Sequence, residues 1–279
     1  MTWAAWSGAA LCTSVVLASC ARTVTVGHED ALVSGGEANA GGEPSAGTAG
    51  SAGTAGSAGS GGNGGSGVVE GLLWSAGHEE ASFDEWLDDG QGIQFTERQG
   101  QLALTGERAH SGSSAFTATI TTGNDQLQQA MMGRNIRLFE GRYGAWYLLP
   151  EAPRADYWVI MKLSNGSSRD RFDIDIEAKS GGAAHLRLFE HTKDWITEPA
   201  KVDFPIGRWV HVEALYRSTP SSNGRLIVLQ DGEPVLDSGP RYTADDDYVT
   251  FFCGSTSRSV TPSPFRLFID DASIGLGAP

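Results

Sequence analysis

Phe172-Asp173-Ile174-Asp175-Ile176-Glu177-Ala178 alternates strictly between apolar and acidic residues. A strand turns successive side chains to opposite faces, so Phe172, Ile174, Ile176 and Ala178 share one face and the three carboxylates share the other. This predicts a strand with one face in a core and one in water. The same period of two runs through Ala115-Phe116-Thr117-Ala118-Thr119-Ile120, Leu186-Arg187-Leu188-Phe189-Glu190 and Phe265-Arg266-Leu267-Phe268-Ile269-Asp270. Leu226-Ile227-Val228-Leu229-Gln230 leads into Asp231-Gly232 and then Val235-Leu236. Asp-Gly tolerates the positive φ of a tight turn, so these runs are expected to pair as a hairpin. Only Phe83 to Asp88 suggests a helix, and its length suits a turn equally well. Many short strands without a ten-residue helical pattern imply an all-β fold, two antiparallel sheets packed face to face.

Outside this region the composition changes. Between Gly35 and Gly67 lie 14 of the chain's 37 glycines and no large apolar residue, so nothing there offsets the entropy of ordering. Ser-Ala-Gly-Thr-Ala-Gly occurs twice from Ser45, followed by Ser-Ala-Gly-Ser-Gly-Gly. Such a segment is expected to behave as a flexible coil that holds a domain about 35–40 Å from its anchor. The apolar run Leu11 to Ser19 is too short to span about 30 Å of hydrocarbon but suits a signal-peptide core. It ends in Leu17-Ala18-Ser19-Cys20, which resembles the lipobox of bacterial lipoproteins. That resemblance implies lipidation of Cys20, a membrane anchor through the lipid, and, with Ala21 following, sorting to the outer membrane or cell surface. The expected organisation is a signal at 1–19, a disordered tether at 20–67 and one domain at 68–279. Cys253 then remains as a single cysteine in an apolar run, a buried and inert thiol.

The formal charge is −14, and the segment before Val68 carries Arg22 against Glu29, Asp30, Glu37 and Glu43, which leaves the domain near −11. Cations are scattered singly or in pairs such as Arg169/Arg171. Nucleic acid is therefore excluded as a partner, since phosphate binding needs clustered Lys and Arg.

Four segments in order carry a family resemblance. They are Tyr157-Trp158-Val159-Ile160-Met161-Lys162-Leu163, Gly207-Arg208-Trp209-Val210-His211-Val212-Glu213-Ala214, Gly224-Arg225 through Asp231-Gly232, and Pro262-Ser263-Pro264-Phe265 through Asp270-Asp271. Together, across about Ala109 to Ile274, the chain resembles the concanavalin-A-like jelly rolls, and most of all bacterial polysaccharide-lyase-like proteins of the heparin-lyase type. In active members a His beside a Gln on one inner strand acts with a Lys and a Tyr from a late strand. Those positions fall near Ser164, Lys162, Thr250 and Gly254, and none of the four residues matches. His110, His185, His191, Tyr242 and Tyr248 stand as substitutes.

Asp173-Ile174-Asp175-Ile176-Glu177 also resembles the Glu-x-Asp-x-Glu strand of laminarinase-type and lichenase-type glycoside hydrolases, which would make Asp173 and Glu177 the catalytic pair. A retaining pair needs carboxyls about 5–5.5 Å apart, while positions i and i+4 on a strand are about 13 Å apart at the backbone. Asp173, in the nucleophile position, is one methylene short of that reach.

Binding without catalysis is the leading expectation, because aromatic faces stack on sugars while carboxylates and amides bond hydroxyls. Trp195, in the otherwise polar His191 to Thr197 segment, is expected to line a polysaccharide site with Trp158, Lys162, Asp173, Asp175 and Glu177. Polysaccharide cleavage ranks second and protein adhesion third. Gly77 to Trp86 resembles the first strand and turn of carbohydrate-binding jelly rolls, which implies a structural calcium ion held by Glu79 or Glu80 with Asp271.

Overall fold

The computed structural model describes residues 71–279 apart from 124, 166–170, 179–182, 192, 245–247 and 278. The expected signal, the lipidated Cys20, the tether and the boundary at 68 lie outside the described residues. Among the described residues the chain order begins β1 (Leu72–Ala76), α1 (Asp84–Leu87), β2 (Gly92–Glu97), β3 (Gln101–Thr105), β4 (Ala115–Ile120) and β5 (Gln128–Arg137). It continues with β6 (Glu140–Leu148), β7 (Ala155–Asn165), β8 (Arg171–Ala178), β9 (Ala184–Glu190), β10 (Trp195–Ile196) and β11 (Asp203–Phe204). The last strands are β12 (Trp209–Arg217), β13 (Arg225–Gln230), β14 (Glu233–Asp237), β15 (Tyr248–Ser257) and β16 (Phe265–Leu276).

They form two antiparallel eight-stranded sheets, as the alternation predicts. The front sheet runs β10-β9-β8-β7-β15-β5-β2, with β11 also on β9; the back sheet runs β14-β13-β12-β6-β16-β4-β3, with β1 also on β16. In each sheet consecutive hairpins at one end join strands distant in sequence at the centre, β7 with β15 and β15 with β5 in front and β12 with β6 and β6 with β16 behind, as in a jelly roll. Phe172, Ile174 and Ile176 of β8 and Leu186 and Leu188 of β9 face Val212, Ala214, Tyr216, Leu267 and Ile269 of the back sheet in one core. Asp231 (φ 52°) and Gly232 (φ 85°) make the expected hairpin between β13 and β14, both in the left-handed region that such a turn requires. The short helix forms where expected, and its Trp86 is fully buried, its indole Nε1 donating to His78 Nε2 at 3.0 Å. Cys253 is buried, and burial pushes its thiol well above the usual range, so it is inert.

The decisive strand departs from expectation in one respect. Its apolar face is buried as predicted, yet Asp173 and Asp175 on the other face are also 0% exposed. Longer side chains on the flanking strands roof them over, so the acidic face of β8 is a buried polar layer rather than a solvated surface.

Candidate functional site

Pairing across the front sheet sets the outer-face neighbours. Phe189, Asp173, Lys162, Phe252, Gly133 and Ile93 stand in one row from β9 through β8, β7, β15 and β5 to β2. Gly133 matters here because an added Cβ would meet the Phe252 ring at 2.4 Å. Phe252 therefore lies flat across β5. A groove of about 220 Å³ results, lined by Phe95, Gln129, Met131, Lys162, Ser164 and Phe252. At its centre Lys162 Nζ lies 3.4 Å from Gln129 Oε1, while Gln129 Nε2 donates to Glu97 Oε2 at 2.7 Å. The two bonds fix the amide orientation and aim the ammonium across the groove.

Beside Lys162 is a layer of charged side chains tied together by hydrogen bonds. Asp173 Oδ2 accepts from the Tyr157 hydroxyl at 2.8 Å and from His191 Nε2 at 2.6 Å. Asp175 takes a bidentate fork from Arg187, Nε to Oδ1 and Nη2 to Oδ2, both at 2.9 Å. Glu177 Oε1 is 3.7 Å from Arg187 Nη1. Burial pushes the Asp175 carboxyl up to about 6 in spite of the guanidinium beside it. The site thus combines an apolar aromatic floor, one lysine and an amide with a rigid hydrogen-bonded wall.

The fold is matched by solved structures. An endo-β-1,4-glucuronan lyase from the fungus Trichoderma reesei superposes with TM-score 0.56 at 15% identity, covering 74% of this chain and 95% of that one. A cellulose-induced protein gives 0.54 at 15%, covering 74% and 99%, and a marine alginate lyase from Aplysia kurodai gives 0.53 at 10%, covering 74% and 99%. What these structures share with the chain is the fold, a sandwich of two antiparallel sheets. No protein-family model matches the chain, and no curated protein sequence matches it.

Within the sandwich the expected site residues divide. Lys162, Asp173, Asp175 and Glu177 come together on the front face. Trp158 does not: it is 0% exposed, packs edge-on against Phe265 at 4.8 Å and donates from Nε1 to Ser255 Oγ at 2.8 Å inside the core. The irregular register of β7 between Val159 and Met161 leaves Lys162 outward while Trp158 points inward. Trp195 also leaves the site. It sits in β10 opposite Glu190, on the core side of β9, with Arg241 stacked 3.6 Å above its ring. A strand edge, rather than a loop, holds it there.

The proposed hydrolase pair is likewise constrained. Asp173 is held by two donors and buried, and Glu177 leans to Arg187, with Asp175 between them. Of the five substitutes, His191 reaches the groove wall. His110 pairs with Asp271 on the back sheet, His185 lies 3.3 Å from the Val202 carbonyl, Tyr242 is near Lys193, and Tyr248 lies under Arg137. At the late-strand position, Gly254 leaves no room for any side chain, since a Cβ would lie 2.2 Å from Ala130 O. Phe95, Gln129, Met131, Tyr157 and Phe252 were missed by sequence reasoning. One signal pointed to Phe252: in the doublet Phe251-Phe252, a strand must turn one ring outward.

The residues expected to hold calcium do not fit that ion. Glu79 accepts from Ser113 N at 2.9 Å and Oγ at 3.1 Å, Asp271 accepts from His110 at 2.6 Å and Ser111 at 2.8 Å, and Glu80 is exposed. Buried Asp270 is met by the backbone N–H groups of His110 and Ser111 at 2.8 and 3.3 Å. Calcium needs converging oxygen lone pairs, whereas this corner supplies hydrogen donors. Among the described residues no three metal-ligating side chains gather.

Proposed function

We propose that the front groove binds a polysaccharide segment, and that the chain does so as a surface-anchored bacterial lipoprotein. The observation that carries the binding reading is the groove itself: Phe95 and Phe252 offer apolar faces for sugar C–H surfaces, and Lys162 with Gln129 supplies charged and amide hydrogen bonds between them. The glucuronan and alginate lyases named above share its fold, which supports a polysaccharide as the partner. A hydrogen bond from a charged group contributes about 1.5–3 kcal/mol, and about 1.4 kcal/mol is tenfold in affinity. Lys162→Ala is therefore expected to weaken binding at least tenfold, measured on a glycan array and by titration with the best array ligand. An array on which no glycan binds would overturn the reading.

Polysaccharide lyase activity is the second reading, favoured by one arrangement. A phenol and an imidazole, both able to exchange protons with a sugar, meet at Asp173 in register with Lys162. Incubation with alginate, pectate and glucuronan separates the two: rising absorbance of unsaturated uronate supports the lyase, and its absence with retained binding supports the binding module. Anchoring at the cell envelope rests on Leu17-Ala18-Ser19-Cys20. Cys20→Ser is expected to move the protein from the membrane fraction to the soluble fraction; retention in the membrane would count against the lipid.

A further inference from the structure

A second pocket, about 470 Å³ against about 220 Å³ for the front groove, opens on the outer face of the back sheet. Register builds it. Ser75, Ser273, Gly144 and Glu213 stand side by side across β1, β16, β6 and β12, and Gly275 and Arg142 are neighbours in the next row. Two glycines leave the hollow. A Cβ at Gly144 would lie 3.0 Å from Glu213 Cγ and 3.1 Å from His211 Nε2, and one at Gly275 would lie 3.1 Å from Gly71 O.

Charged groups of both signs line the walls, and each carboxylate is held by hydrogen-bonding partners. Arg142 Nε donates to Glu213 Oε1 at 2.7 Å, and His211 Nδ1 is 3.5 Å from Glu213 Oε2. Across the pocket, Asp271 is held by His110 and Ser111. Trp146 is stacked between His110 at 3.6 Å and His211 at 4.9 Å, so a continuous stack fixes one side of the pocket. Leu72 and Leu276, 47% and 57% exposed, form an apolar rim.

This pattern selects a ligand class. An ion of either sign is opposed here: an anion faces the Glu213 and Asp271 carboxylates, and a cation would have to displace Arg142 from Glu213 or the donors that hold Asp271. A hydroxyl is different: it donates to a carboxylate oxygen and accepts from the adjoining guanidinium N–H without disturbing the pair. Alternating hydroxyls and C–H faces, matched to paired charges, serines and a leucine rim, describe an uncharged sugar. The volume is within the range of about 300–1,000 Å³ usual for small-ligand sites. We propose that the back-sheet pocket is a second saccharide site, for a neutral sugar unit. It is independent of the front groove and does not rest on the reading of that groove. Sites on opposite sheets allow one domain to engage two glycan chains, and a bivalent contact outlasts either alone.

Saturation-transfer NMR on the full chain tests this with glucose, galactose, mannose, N-acetylglucosamine and glucuronate as probes. At least one neutral sugar is expected to bind, and Ser273→Phe, which fills the hollow while leaving both carboxylates paired, is expected to weaken that binding at least tenfold. Lys162→Ala is expected to leave it within twofold. Arg142→Gln keeps a donor to Glu213 but loses the guanidinium charge, and a several-fold loss is expected from it as a second readout if Ser273→Phe does not fold. The proposal is overturned if no neutral sugar binds, if glucuronate alone binds, if Ser273→Phe folds and binds as wild type, if Arg142→Gln binds as wild type where Ser273→Phe does not fold, or if Lys162→Ala removes the binding. The last result would place the sugar in the front groove.

Discussion

Arg187→Ala is expected to cost about 3–5 kcal/mol of folding stability at pH 7, because it leaves a buried carboxylate without its countercharge. Asp175 is 0% exposed and receives both of its short bonds to Arg187 inside the polar layer of β8. The two partners respond differently: Arg187 is held protonated, while Asp175 is pushed up to about 6 rather than down. Burial outweighs the attraction for the acid, and that direction follows from the complete loss of solvent at Asp175. The sign of the pH effect follows. A carboxyl whose folded value exceeds its unfolded value of 3.8 contributes stability that is fully present below about pH 3.8 and is lost as the pH rises through about 6. In the variant, a protonated Asp175 no longer needs a partner. The deficit measured by urea unfolding is expected to be smaller at pH 5 than at pH 7, and an equal deficit at both would contradict the argument. Asp175→Leu with Arg187→Leu is expected to recover the lost stability, since apolar replacements of a buried pair are often neutral or stabilising.

Trp158→Ala is expected to destabilise by about 3–5 kcal/mol, through the lost burial and the cavity left behind. A domain of this size moves roughly 2–4 °C in Tm per kcal/mol, which makes the shift roughly 6–20 °C. Fully buried Ser255 would also lose its indole donor. Thermal melting followed by circular dichroism measures the shift. A change of only a few degrees, with sugar binding abolished, would return Trp158 to the groove.

Much of the architecture was legible because local chemistry carries it. The alternation at Phe172 to Ala178 needs only the pleat of a strand, the Asp231-Gly232 turn needs only positive φ, and Cys253 is buried because its neighbours are apolar. Lys162, Asp173, Asp175 and Glu177 were likewise legible as a group, three of them lying on one strand. Phe95, Gln129 and Phe252 were not, because they come from β2, β5 and β15 and meet only through pairing between strands far apart in the chain.

Three reversals have one physical origin. The sequence placed Trp158 and Trp195 at the site and the acidic face of β8 in water. Only the tertiary structure decides such matters, because a strand specifies two faces without specifying what covers each. An irregular register turned Trp158 inward, an edge pairing turned Trp195 toward the core, and Arg187, His191 and Tyr157 covered the carboxylates. By itself the sequence determined the period of two, the turn and the residues able to form a core. Register and sheet order decided which polar side chains became neighbours, since hydrogen bonds between strands distant in the chain leave no local pattern.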